Sequence, residues 1–290
     1  MKIPLLGTGL SGLVGTRIIE LLSDTFEFQD LSYETGVDIT DSVAIESHFR
    51  NSKALWVLHL AAKADVDGCE KDRPFGNEGA AWKINVQGTK NIVVAAHKYD
   101  KRVLYISTDF VFDGRLDVYT ENDKPNPLNW YGETKYEGEK LILTNHQNLV
   151  VRIAYPYRAQ NPVKKDWLHA IAAKLSQNQE VAVLSDHVFT PTLIDDIAVA
   201  VKYLIEHNLS GIYHAVGSSS LTPFAAALEI AKHLGYNKNL VKSTNIENFY
   251  KNRATRPYTL RLRNDKISAL GVHLRSFTDG LIEIKKQQSL

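Results

Sequence analysis

Apolar and polar positions follow two alternating periods through the first half of the chain. Ile3 to Leu6 is a short apolar run that predicts a buried strand. Gly12 to Leu22 follows with Leu13, Ile18, Leu21 and Leu22 at helical spacing. Phe26 to Leu31 predicts a second strand, Asp41 to Phe49 a second helix and Leu55 to Leu60 a third strand. A long helix is predicted from about Ala80 to Tyr99, then a strand at Val103 to Ile106, a helix at Trp130 to Asn145 and a strand at Leu149 to Ile153. Continuous apolar strands separated by helices imply a parallel sheet covered on both faces.

The pattern loosens after Ile153, where Pro156 and Pro162 break the chain. Leu168 to Leu175 reads as a helix, Glu180 to Leu184 as a short strand, Leu193 to Glu206 as a helix and Gly211 to Val216 as a strand returning to the sheet. Thr222-Pro223 starts a further helix with a capping hydroxyl and proline at the first helical position. The expected fold class is α/β: a doubly wound, Rossmann-like parallel sheet with a smaller C-terminal substrate-binding cap. Residues 1–155 would form the core, with about 185–217 returning to it, and the rest of 156–290 would form a discontinuous cap.

Composition narrows the function classes. A length of 290 residues, 44% hydrophobic and 23% charged, suits a globular chain with a sizeable core. The formal net charge is +1 and no block of like charge occurs, which argues against a nucleic-acid or anionic-membrane surface. No stretch approaches the ~20 consecutive apolar residues of a membrane span. The single cysteine, Cys69, excludes an internal disulfide and fits a reducing cytoplasm. No H-E-x-x-H or close Cys/His pairing points to zinc.

The chemistry enters with Gly9, Gly12 and Gly15, which sit directly after the first strand and open the first helix. Glycines in that context permit a tight turn and close approach of backbone to a pyrophosphate, and the helix N-terminus favours the anion. An acidic residue ending the second strand would select NAD(H); Asp30 is the candidate. The neutral Ser32 and Tyr33 just beyond it would accept a 2′-phosphate, and the expectation leans to NADP(H), with NAD(H) the alternative. Asp38-Ile39 is a candidate adenine contact.

Tyr131 and Lys135 are four residues apart on a predicted helix, which puts them on one face about 5–6 Å apart. A nearby ammonium is expected to lower the phenol's pKa and fit it for proton transfer to or from a carbonyl oxygen. Ser107-Thr108-Asp109 ends a strand, where a hydroxyl can donate to the same oxygen. Glycine turn, strand-end hydroxyl and Tyr/Lys helix together imply hydride transfer at a carbonyl carbon.

These residues resemble the extended short-chain dehydrogenase/reductases, and within them the dTDP-4-dehydrorhamnose reductase branch. The likeness rests on Val57-Leu58-His59-Leu60-Ala61-Ala62, Ile84-Asn85-Val86-Gln87-Gly88-Thr89, Tyr105 to Gly114, Asn126 to Gly132, Pro191-Thr192 with Asp195-Asp196, and Arg256-Pro257. It implies a catalytic set of Thr108, Tyr131 and Lys135. Cofactor contacts would fall on Gly9, Ser11, Gly12, Leu13, Asp38, Ile39, Ala61, Ala62, Lys63, Asn85, Ser107 and Lys135, and the glycine turn adds Gly15. Substrate contacts would fall near Val66, Phe110 and Tyr155. The implied reaction reduces the 4-keto group of a nucleotide-linked deoxysugar. Phe110, where dehydratases of the superfamily carry glutamate, disfavours dehydration. A non-catalytic role like that of the regulatory subunit of methionine adenosyltransferase, or an epimerase, are the alternatives. Some relatives hold magnesium between subunits, for which Asp195 and Asp196 would be the ligands. Aspartates at a helix start are the preferred reading, and no metal site is expected. A homodimer is the assembly common among relatives.

Overall fold

The computed structural model describes residues 1–160 and 166–288, so Pro162 lies outside the described residues. The first half runs β1 (Ile3–Thr8), α1 (Leu13–Leu22), β2 (Phe26–Leu31), α2 (Ser42–Asn51), β3 (Trp56–His59), α3 (Val66–Asp72), α4 (Ala80–Trp82), α5 (Thr89–Lys98), β4 (Arg102–Thr108), α6 (Trp130–Ile142) and β5 (Leu149–Ile153). The second half adds β6 (Pro156–Tyr157), α7 (Trp167–Ser176), β7 (Val181–Leu184), β8 (Thr192–Leu193), α8 (Ile194–Glu206), β9 (Gly211–His214), α9 (Pro223–Leu234), β10 (Val241–Thr244), α10 (Ile246–Phe249), α11 (Asp265–Ser268) and α12 (Phe277–Gln288).

Six strands form one parallel sheet in the order β2-β1-β3-β4-β5-β9. Successive strand residues point to opposite faces, and each face meets its own helices. Leu5, Leu58, Leu104, Ile106 and Val151 pack with Ile18 of α1 and Ile197 and Val201 of α8. Their neighbours Leu6, Val57, Val103, Tyr105 and Val150 pack with Phe49 of α2, Ile92 of α5 and Ile142 of α6. This is the expected doubly wound α/β architecture. The chain moves outward from β1 to β2 and then crosses to β3 on the other side, so the crevice opens beyond the C-terminal ends of β1 and β3.

Two elements are longer than the apolar runs that announce them. β1 continues to Thr8 and β4 to Thr108, because their terminal polar residues still pair in the sheet. The long helix predicted at 80–99 is instead two α-helical pieces joined by a π turn at Lys83–Gly88, which carries Asn85. Such turns are a recurrent feature of functional sites.

The cap has its own core of Leu168 and Ile171 from α7, Val181 and Val183 from β7, Ile230 from α9 and Phe277 and Leu281 from α12. β7 and β10 pair in parallel beside it. The partition is finer than the sequence pattern implied. Phe189 packs in the cap, while Ile267, Val272 and Leu274 join the sheet core. Arg158 ties the two together by donating to both carboxylate oxygens of Glu20 and to Thr16 Oγ1 on α1.

Candidate active site

A cleft of about 600 Å³ runs from the glycine turn to the first residues beyond β5. At one end Gly9 adopts φ +66°, and a Cβ there would stand 2.5 Å from the backbone nitrogen of Ala61. Any other side chain would force apart the loops after β1 and β3. A Cβ at Gly15 would stand as close to the Leu10 carbonyl oxygen, so α1 packs directly on the turn. Gly12 caps α1 in extended conformation with no side chain over the helix N-terminus. The first N–H groups of α1 therefore face the cleft unscreened, the arrangement that takes a pyrophosphate.

Behind the turn a ladder of buried polar groups sets the loop after β3. Thr8 Oγ1 meets His59 Nδ1 at 2.6 Å, His59 Nε2 meets Thr89 Oγ1 at 3.0 Å, and the Ala61 N–H donates to Thr8 Oγ1. Burial pushes His59 down to about 3, so the imidazole is neutral at physiological pH and shares hydrogen bonds with both hydroxyls.

The other end is built by β4 and α6. Asn129 caps α6 by accepting from the Gly132 N–H at 2.9 Å. A Cβ at Gly132 would lie 2.2 Å from the Phe110 carbonyl oxygen, so only glycine lets the helix start against the turn after β4. That approach brings Tyr131 beside Thr108, whose hydroxyl favours the phenolate. Lys135, one turn on, is buried with Nζ donating to the Ile106 carbonyl oxygen at 2.7 Å and lying 3.9 Å from the centre of the Tyr105 ring.

The electrostatics reverse one expectation. Lys135 does not lower the Tyr131 phenol. Enclosure by protein pushes the phenol up, with the neighbouring Thr108 hydroxyl opposing and the Asp109 carboxyl reinforcing the shift. The ammonium is the group that moves down: burial takes Lys135 to about 7, against the pull of Glu139. Desolvation exceeds pair attraction because the Lys135 head is committed to Ile106 rather than to the phenol.

Of the residues singled out in the sequence, Gly9, Ser11, Gly12, Leu13, Gly15, Ser32, Ile39, Ala61, Ala62, Ser107, Thr108, Tyr131 and Lys135 all line this cleft, as do Val66, Phe110 and Tyr155. Three lie outside its lining. Asp38 accepts from the Thr40 N–H, and Lys63 pairs with Asp72. Asn85 is buried behind the wall, where it bonds the backbone of Lys63 and the Thr134 hydroxyl and so joins the β3 loop to α6. Asp30 is also turned aside, accepting from Ser32 Oγ.

Two acidic residues without an expected role line the cleft. Glu34 accepts from Ser11 Oγ at 3.0 Å. It follows Gly15 by nearly the 20 or so residues at which a ribose-binding acid stands, which is the signal that marks it. Asp109 is buried and pushed up to about 7 by desolvation, with Oδ1 accepting from Thr108 and Oδ2 lacking a hydrogen-bond partner. Ser107 Oγ is likewise buried and unpartnered. Buried polar atoms facing a cleft are satisfied by what binds there, so the donors and the glycine cradle fit a polar, phosphate-bearing dinucleotide.

The aspartates at the start of α8 are committed elsewhere. Asp195 accepts two hydrogen bonds from Arg17, and Asp196 pairs with Arg275. Among the described residues no cluster of three or more His, Cys, Asp or Glu side chains is placed to hold a metal. No helix of the described residues is long and apolar enough to cross a membrane.

A dTDP-4-dehydrorhamnose reductase of Aggregatibacter actinomycetemcomitans is 30% identical over 237 residues, covering 78% of this chain and 77% of that protein. The methionine adenosyltransferase 2 subunit beta of Mus musculus is 28% identical, covering 95% and 85%. The crystal structure of a dTDP-4-dehydrorhamnose reductase from Bacillus anthracis in complex with NADP superposes with a TM-score of 0.90 at 26% identity, over 99% of this chain and 100% of that one. Residues 1–289 match the RmlD substrate binding domain, and the chain belongs to that family.

Proposed function

We propose that the protein reduces the 4-keto group of a nucleotide-linked deoxysugar, as a dTDP-4-dehydrorhamnose reductase does, with NAD(P)H as reductant. The observation that carries this reading is the convergence of Thr108, Tyr131 and Lys135 on the cleft that begins at the glycine turn.

A bound nicotinamide dinucleotide supplies the hydride for the carbonyl carbon. The residues supply the rest. Thr108 Oγ1 accepts from the Phe110 N–H at 3.2 Å and donates to Asp109 Oδ1 at 3.1 Å, so its proton would swing from Asp109 to the substrate oxygen as charge develops there. Tyr131 delivers the proton. Its raised pKa keeps the phenol protonated across the neutral range, and a nascent alkoxide is a far stronger base, so transfer runs downhill in the direction of reduction. Lys135, anchored on the Ile106 carbonyl oxygen, would help hold the nicotinamide ribose through its head group. Phe110 and Tyr155, with ring centres 6.3 Å apart, form an aromatic wall that orients the sugar and excludes water. Tyr155 holds φ +41°, a strained conformation of the kind that collects at binding sites.

Glycine turn, Tyr131 and Thr108 in one cleft favour turnover over a purely regulatory role. Purified protein should oxidise NADH or NADPH in the presence of dTDP-4-keto-6-deoxy sugars. Tight dinucleotide binding without turnover on any keto-sugar would support the regulatory alternative, and product formation without net cofactor consumption would support an epimerase. Cytoplasmic location, argued from the buried thiol Cys69, and a homodimer belong to the same proposal.

A further inference from the structure

One end of the cleft carries a carboxylate and, among the described residues, no cation. Ser32, Tyr33 and Glu34 follow β2 and share the cleft with the glycine turn. Ser11, within that turn, donates to Glu34 Oε2 at 3.0 Å, which holds the carboxylate over the turn. Its own backbone N–H and the hydroxyls of Ser11 and Ser32 keep the carboxyl below its ordinary pKa, so it is charged at neutral pH. Asp30 does not line the cleft; its Oδ2 accepts from Ser32. Among the described lining residues Lys135 is the one base, and it belongs to the far end, beside Ile106.

We propose that Glu34 selects NAD(H) over NADP(H). A carboxylate in this position accepts hydrogen bonds from the adenosine ribose hydroxyls and repels a 2′-phosphate, and among the described lining residues no guanidinium or ammonium stands beside it to offset that repulsion. Ser32 and Tyr33, the ground for expecting NADP(H) from the sequence, are neutral; the charge next to them decides the sign. The inference rests on the dinucleotide reading of the cleft and names which dinucleotide it prefers.

Equilibrium titration of the purified chain with NADH and NADPH, followed by calorimetry or nicotinamide fluorescence, tests it without reference to turnover. The expected result is NADH binding at least about tenfold more tightly at low salt, with the gap narrowing as salt screens the repulsion. Glu34→Gln should close most of the gap by strengthening NADPH, and Glu34→Arg should reverse the preference. NADPH binding as tightly as NADH to the wild type, or an unchanged ratio in Glu34→Gln, overturns the role of Glu34 and leaves the dinucleotide reading standing. Binding of neither dinucleotide overturns both.

Discussion

Lys135 donates to the carbonyl oxygen of Ile106 at 2.7 Å, and this bond, not a pairing with Tyr131, fixes where its head group sits. Burial leaves that amine with a pKa of about 7, so about half of it is neutral near physiological pH before anything binds. A bound dinucleotide brings negative charge and ribose oxygens, which favour the ammonium. Binding is therefore expected to take up a proton between pH 7 and the ordinary lysine range of ~10. Affinity should be flat below about pH 7 and fall above it. Calorimetry at pH 8 in buffers of different ionisation enthalpy should report uptake approaching one proton for the wild type and none for Lys135→Met. Zero uptake in the wild type would remove this linkage.

Thr108 and Tyr131 side by side in the cleft predict a division of labour. Tyr131→Phe removes the proton donor and should lower kcat by about 10²–10⁴ while leaving dinucleotide affinity within about twofold. Thr108→Val removes an oxyanion donor and should cost about 10²–10³ in kcat. Steady-state kinetics alongside dinucleotide titration check both. Wild-type turnover in Tyr131→Phe would assign the proton to another group, with Asp109 the nearest candidate because it carries a pKa of about 7.

Gly132 transmits packing to chemistry. Its missing side chain is what lets α6 begin against the Phe110 carbonyl, since a Cβ would approach to 2.2 Å. Gly132→Ala must push the helix start, and Tyr131 with it, away from Thr108. We expect a stability loss of about 1–3 kcal/mol by overpacking and a loss of kcat out of proportion to it, since a displacement of about 1 Å can cost 10²-fold in rate. Urea unfolding and kinetics on the same preparation separate the two effects.

Beneath the site, Arg152 and Glu139 form a bidentate ion pair at 2.9 and 2.8 Å, with side-chain exposures of 1% and 0%. Arg152→Met leaves the buried Glu139 carboxyl without its partner, and should cost about 3–5 kcal/mol. The double variant Arg152→Met/Glu139→Gln, which removes both charges, should recover a large part of that loss. Denaturant unfolding of the two singles and the double gives the coupling. Additive losses would show that the pair is not a unit.

Much of this was legible in one dimension. Leu5 and Leu6, or Val57 and Leu58, announce a strand buried on both faces simply by being adjacent and apolar. Gly9, Gly12 and Gly15 announce their turn because strand, turn and helix follow within a few residues. Tyr131 and Lys135 share a face because the helix repeat is local. Each of these properties is set by neighbours along the chain, so the sequence itself determined the α/β class, the glycine cradle and the shared face of Tyr131 and Lys135. Tertiary structure decided what depends on distant partners. It turned Asp30 aside and brought Glu34 to Ser11, across 23 residues. It placed Asn85 behind the wall through a π turn that no apolar period signals. It also reversed the sign at Tyr131, because a pKa answers to desolvation by the whole surrounding fold, and spacing along a helix records only which groups are close.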